Sequence, residues 1–395
     1  MEAVSYCIFC DSVIGSDTTL EHIMHDCLGG RETTSEVLCS CHNNLFGGTI
    51  DNAFAAPLLP IRNLMQFKSG SGKPPPMLRG LQAGEDRIHV SGTGEVQLAD
   101  PPIKFSDGSD GLSEARIISA DPAIIKKLIP HIAARYGVSV DDVEKQMDNV
   151  TLVERRPDGA VNFKLGFGSA EALRSMLKSC LVLLARHVGN DVVRDEQFGA
   201  ARDFVLNGGE QFQMARIRLD TRDLPGTPKI TEQFSQFFNL IYIKSNGDGR
   251  VVGHFTIYNM IGWRFVLCER GGPKHCRFAI ANNPGDPAVR SRDASELPDI
   301  SFDWLDADSE VTPDRMQKRL TEIETAYRNR AIPSEFDRIV DDTIARSGLR
   351  PGDDLSKEFI GRLADRSARF KMGLPYEEAL SPDEVAKLLT GKQPR

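Results

Sequence analysis

Cys7-Ile8-Phe9-Cys10, Glu21-His22-Ile23, Leu28-Gly29-Gly30 and Cys39-Ser40-Cys41-His42-Asn43-Asn44, running into Phe46-Gly47, are the residues whose spacing decides the N-terminal fold. Two groups of soft ligands stand at the ends of a segment that buries too little apolar surface to fold alone. In such a segment a structural zinc supplies folding free energy. Cys7 and Cys10 form one group, with two residues between them. Cys39 and His42 have the same spacing, and two intervening residues are what usually bring both ligands onto one ion. A Cys₃His set is an ordinary tetrahedral zinc site. Cys41 is the alternative fourth ligand, which would release His42 for a second metal.

Between the two groups sits an acid-histidine pair, followed by an asparagine. Phosphodiester hydrolysis needs a base within reach of a water, and a hard cation with oxygen ligands to polarise the phosphate. A histidine suits the first role because it titrates near neutral pH. A carboxylate and an amide oxygen suit the second. Adjacent strand residues point to opposite faces, so Glu21 and His22 share a site only if the strand ends there and the loop re-aims one of them. Gly29-Gly30 fits such a loop. Alone, a Cys-x-x-Cys is equally a redox pair and a Glu-His pair is a surface feature; the combination at this spacing carries the reading.

In order, Cys-x-x-Cys, Glu-His-Ile, Leu-Gly-Gly, Val-Leu-Cys, Asn-Asn-x-Phe-Gly and Ile-Asp resemble the HNH endonucleases of the ββα-metal superfold. The resemblance is to the branch with a zinc knuckle and an Asn directly after the last zinc ligand, and it covers about residues 1–65. It implies His22 as general base, and Glu21 and Asn43 as ligands of a catalytic Mg²⁺ or Mn²⁺. It also implies Cys7, Cys10, Cys39 and His42, or Cys41, around a structural zinc. The chain departs from the family's usual Cys-x-x-Cys-Asn by placing His42 in the fourth ligand position. His25 stands where a proline is common, and is expected as a solvent-exposed turn residue or a phosphate contact.

At 395 residues, 40% of them hydrophobic, the chain is long enough for two or three domains with real cores. No stretch has the length and apolarity of a membrane span, and no basic segment precedes an apolar run at the N-terminus, so a soluble, cytoplasmic protein is expected. Five of the eight cysteines fall in the first 41 residues while Cys180, Cys268 and Cys276 are scattered, the distribution of a metal site and not of a disulfide framework. The net charge of −8 argues against a generic polyanion binder. One stretch, Asn52 to Gly84, has no acid but carries Arg62, Lys68, Lys73 and Arg79, the candidate nucleic-acid contacts. Gly70-Ser71-Gly72 and Pro74-Pro75-Pro76 mark its second half as a linker or arm.

The remainder reads as an α+β domain with antiparallel strands, followed by C-terminal helices. Arg87–Val90 and Glu95–Leu98 flank a Ser-Gly-Thr-Gly turn, a hairpin signal. Pro122–Tyr136 reads as a helix capped by Asp121, and Val161–Leu165 alternates like a strand. Behind Ser169, the run Leu173, Met176, Leu177, Cys180, Leu181 and Leu184 predicts a core-facing helix to His187, with no catalytic content. Another helix spans Glu196–Leu206 and stops at Gly208-Gly209. Ile241–Ile243 and His254–Tyr258 flank Asn246-Gly247-Asp248-Gly249, with Trp263–Cys268 as a third strand. From Pro273 a polar, largely strandless stretch runs to Pro313. Charged helices over Pro313–Arg330, Pro333–Ser347 and Ser356–Phe370 then suit solvated faces or homo-oligomer arms, ahead of a basic polar tail. The expected domains are 1–65, the nuclease module; 66–84, a basic linker; 85–272, an α+β recognition domain; and 273–395.

The sequence thus points to a zinc-stabilised, divalent-metal-dependent HNH endonuclease acting on DNA. By fold-level analogy it suits restriction or phage defence. The rival is a non-catalytic zinc-binding module for nucleic acid or protein, which would have no use for Glu21, His22 and Asn43.

Overall fold

The computed structural model describes residues 4–84, 86–107, 113–118, 124–146, 161, 166–291, 293–308, 311, 313–350, 352–372, 374 and 376. The chain divides into two compact units: Met1–Leu78, Ser91–Gly94 and Phe163–Thr325 form one, and Arg79–Val90, Glu95–Asn162 and Ala326–Arg395 the other. The expected boundary at residue 65 is therefore not a domain boundary. Residues 1–78 share a core with the chain after 163.

In the first unit, a short hairpin of β1 (Glu21–His22) and β2 (Thr33–Thr34) is followed by α1 (Ser40–Gly48) and α2 (Ile50–Ala55). The strands pair antiparallel, Glu21 with Thr34 and His22 with Thr33. The long helix α3 (Ala170–Val188) starts at Ser169, whose side chain accepts from the Ala172 amide. Five antiparallel strands follow: β3 (Ile217–Asp220), β4 (Asn239–Ser245), β5 (Val251–Ile257), β6 (Ile261–Cys268) and β7 (Arg277–Asn282). Their order in the sheet is β7-β4-β5-β6-β3.

Both faces of this sheet are covered, and the two-residue period of a strand sorts its side chains accordingly. Ile241 and Ile243 of β4 and Phe255 of β5 join one core with Leu177, Cys180, Leu181 and Leu184 of α3. Ile8, Ile23, Leu28, Phe46 and Phe54 of the N-terminal segment belong to the same core. Leu240, Tyr242 and Val252 face a second core with Ile230, Phe234, Ile300 and Leu305. Burial on both faces is why β4 to β6 read as nearly unbroken apolar runs. α3 lies so close to the sheet that a Cβ on Gly253 would stand 3.1 Å from Cys180 Sγ. Tyr258 and Asn259, both with positive φ, make the β5–β6 turn of the type that hairpin twist favours. The Tyr258 amide donates to Asn239 Oδ1, and the Asn239 amide nitrogen reaches Leu28 O, so the sheet also holds the loop after β1.

In the second unit, strands Leu78–Ala83, Asp86–Val90 and Val96–Leu98 form a small sheet that includes the predicted hairpin, with Ile88 opposite Leu98. Strands Ile103–Asp107 and Ser113–Ile117 pair, and Ile103, Phe105, Ala115 and Ile117 pack on Ile129, Ile132 and Val143. Arg366, nearly inaccessible, pairs with Asp342 at 2.7 Å and donates to Thr343 Oγ1.

Several expectations change. The supposed linker ends in a strand from Leu78. The stretch after Pro273 contains β7, hidden from the pattern by small residues, Ala279 and Ala281, on its second face. β3 was likewise unmarked. Pro313–Ser347 is one helix with Pro333 inside it, and the helix after Glu196 is a 3₁₀ turn, Glu196–Phe198, leading into Gly199–Asn207. The predicted strand Val161–Leu165 beyond its first residue, the cap at Asp121 and the tail beyond Tyr376 lie outside the described residues. Among the described residues, no helix is long and apolar enough to cross a membrane.

Candidate functional site

The two ligand groups meet. Cys7 and Cys10 lie on a tight turn closed by the Cys7 amide to Ser12 O and by an isolated bridge between Tyr6 and Val13. Cys39 is the extended residue ahead of α1, and His42 stands in its first turn. The Ile8 amide donates to Val37 O and ties one group to the other. Cys10 Sγ is 3.8 Å from Cys39 Sγ, and His42 Nδ1 is 3.4 Å from Cys39 Sγ and 3.7 Å from Cys7 Sγ. All four ligand atoms lie within 4.8 Å of one another. A tetrahedral zinc with bonds of about 2.3 Å to sulfur requires sulfur-sulfur edges of about 3.8 Å, so the cluster could hold zinc. Cys41 is exposed and outside the cluster. Helix Asn190–Arg194 braces the arrangement: Arg194 donates to Cys7 O and Cys10 O, and Asn190 to Tyr6 O and Glu36 O.

The protonation states suit a bound cation. Burial pushes the Cys7 thiol up to about 12, so a thiolate at Cys7 needs a positive charge beside it. Burial pushes His42 down, leaving a neutral imidazole free to ligate. We expect His42→Ala to lose one zinc per chain and Cys41→Ser to keep it, measured by elemental analysis of the purified variants. Zinc lost from Cys41→Ser and retained by His42→Ala would make Cys41 the fourth ligand.

At the hairpin, strand alternation settles the orientation of the acid-histidine pair. Glu21 points inward and is buried, while His22 ends the strand with 40% of its side chain exposed. His22 Nε2 is 3.9 Å from Asp26 Oδ1. Burial pushes His22 below its ordinary value, against the opposing pull of Asp26. The loop after β1 turns on Gly29, whose φ is +81°, and on Gly30, where a Cβ would meet Met24 O at 1.9 Å; both depend on glycine. The Asn43 amide nitrogen donates to Thr19 O, Thr19 Oγ1 and Leu20 O, so this side chain fastens the chain just ahead of β1.

Of the cation ligands expected at Glu21 and Asn43, Glu21 already faces a cation from within the chain. Lys178 Nζ, from α3, lies 2.5 Å from Glu21 Oε1 as an ion pair and donates to Asp51 Oδ2 at 2.7 Å. Burial pushes the Glu21 carboxyl up, with Lys178 pulling the other way. Burial would also raise Asp51, but Lys178 and His25 hold it well below the usual carboxylate range.

His25, expected at the surface, is instead buried. Its ring stacks on Phe54 with centroids 4.2 Å apart, and its Nε2 is 2.6 Å from Ser175 Oγ, which donates to Asp51 Oδ1 at 2.5 Å. Asp51 had no assigned role, and Ser175 and Lys178 sat on a helix read as plain core. The missed signal was the surroundings of Lys178, since a lysine amid residues buried on every side must have an anionic partner. Of the candidate nucleic-acid contacts, Lys68, Lys73 and Arg79 are exposed, whereas Arg62 is buried and is no free phosphate ligand. The Lys68–Lys73 loop abuts the hairpin loop: the Gly70 amide donates to Asp26 O, the Ser71 amide to Asp26 Oδ1, and Arg31 to Gly70 O.

In comparisons with protein-family models, with curated proteins and with solved structures, nothing matches this chain.

Proposed function

We propose that the N-terminal hairpin and helix form a phosphodiester hydrolase of the HNH type acting on DNA, with His22 as general base. The observation that carries the reading is the placement of His22. It ends a two-residue strand in the segment that carries the Cys₃His cluster, half-exposed, with burial pushing its pKa down and a carboxylate facing it. In the step assigned to it, His22 takes a proton from water while the hydroxyl oxygen bonds to phosphorus and the bond to the leaving sugar oxygen breaks, that oxygen taking up a proton from solvent. Asn43 positions the strand. Lys68 and Lys73, exposed on a loop bonded to Asp26, supply positive charge where the phosphate backbone would approach. The Mg²⁺ or Mn²⁺ expected at Glu21 and Asn43 receives no part in this step, because the Lys178 ammonium already stands against Glu21.

Conversion of supercoiled plasmid to nicked circles, with and without Mg²⁺ or Mn²⁺, tests the reading. Since His22 titrates below 6.5, the rate should be flat above that pH and fall as protonation removes the base at lower pH. A rate that instead rises on acidification excludes His22 as base. The zinc-binding interaction module is the second reading, and the Glu21–Lys178 ion pair favours it because it leaves the acid no catalytic work. Absence of nicking under every metal condition would establish it over hydrolysis.

A further inference from the structure

We propose that the Lys178 ammonium is the resident counter-ion of the Glu21–Asp51 carboxylate pair, filling from within the chain the place a divalent cation would take. Two carboxylates from separate elements, β1 and α2, converge on one nitrogen at 2.5 and 2.7 Å. Lys178 is 1% exposed and Glu21 4%. Such a pair is costly to bury without a cation, and a lone buried ammonium is equally costly, so each requires the other.

The surroundings are built to this arrangement. Ser175, one turn before Lys178 on α3, donates to the second oxygen of Asp51, and His25 closes over both from the loop after β1. Lys178 Nζ also stands 5.8 Å from the centre of the Phe46 ring, within reach of its electron-rich face. One nitrogen thus joins the strand that carries His22 to helices α2 and α3. An added divalent ion would have to displace the ammonium or bear its repulsion at close range.

The consequence concerns metal binding and stands whether or not the hairpin hydrolyses phosphodiesters. In the full-length wild-type protein, titration with Mn²⁺ followed by electron paramagnetic resonance should show no site that depends on Asp51, so wild type and Asp51→Asn should give the same curve. Lys178→Met removes the charge at similar length, leaves two carboxylates facing each other and should create a Mn²⁺ site at least tenfold tighter than any in wild type. The double variant Lys178→Met/Asp51→Asn should lose that site.

Thermal unfolding gives a second readout. Lys178→Met should melt well below wild type without added metal, and its midpoint should climb with Mn²⁺ concentration as ligand linkage requires, while wild type is unmoved. A Lys178→Met protein that binds Mn²⁺ no better than wild type, or that fails to fold even when refolded with Mn²⁺, overturns the proposal. A wild-type Mn²⁺ site that weakens in Asp51→Asn overturns it as well.

Discussion

Cys39→Ser, or prolonged treatment with a strong chelator, is expected to lower the stability of the whole first unit, including α3 and the five-stranded sheet. The reason is the shared core. Cys7, Cys39, Ile8 and Phe46 belong to the same continuous buried cluster as Leu177, Cys180 and Phe255, and Asp51 on α2 is held by Lys178 on α3. Loosening the end that carries the Cys₃His cluster therefore removes packing from α3 directly. A structural zinc contributes about 10–16 kcal/mol in small peptides. If a third of that is folding free energy here, the loss is roughly 3–5 kcal/mol. At about 2–4 °C per kcal/mol for a domain of this size, the midpoint should fall by roughly 6–20 °C. Circular dichroism melting beside elemental analysis checks this. Full zinc content and an unchanged midpoint in Cys39→Ser would show that the cluster holds no structural metal.

The sequence discloses local signals here and hides distant ones. The helix behind Ser169 is written in its own apolar spacing, and the turn at Asn246-Gly247-Asp248-Gly249 is marked by its own residues, so α3, β4, β5 and β6 appear nearly where expected. The cluster of Cys7, Cys10, Cys39 and His42, which could hold a metal ion, is legible because two knuckles of fixed spacing need only meet once. β7 and β3 each carry only two long apolar side chains in alternation, Phe278 and Ile280 or Ile217 and Leu219, runs too short to stand out, and their place depends on partners far along the chain. The unit boundary at Leu78 was missed for the same reason: nothing local in residues 1–65 reports that Ile8, Phe46 and Phe54 pack against α3. Glu21 shows the limit most clearly. Its neighbours in sequence suggest a metal ligand, whereas its neighbour in space is the ammonium of Lys178.

His22→Ala carries the largest expected effect on activity. Its ring is half-exposed at the end of β1, and neither of the buried pairings of Glu21 and Asp51 uses it, so its removal should leave the fold, the metal content and DNA binding near wild type. Losing a positioned general base typically costs a factor of about 10²–10⁴ in rate. Lys68→Ala and Lys73→Ala should behave differently, weakening DNA binding and its salt dependence while sparing the rate at saturating DNA.

Single-turnover cleavage of a DNA duplex by wild-type protein and by His22→Ala, at matched zinc content and saturating protein, tests the central claim most directly. Wild type should cleave, with His22→Ala slower by about 10²–10⁴ at unchanged affinity. Equal rates in the two proteins would show that His22 is not the base, and no cleavage by wild type would leave the hairpin a binding module.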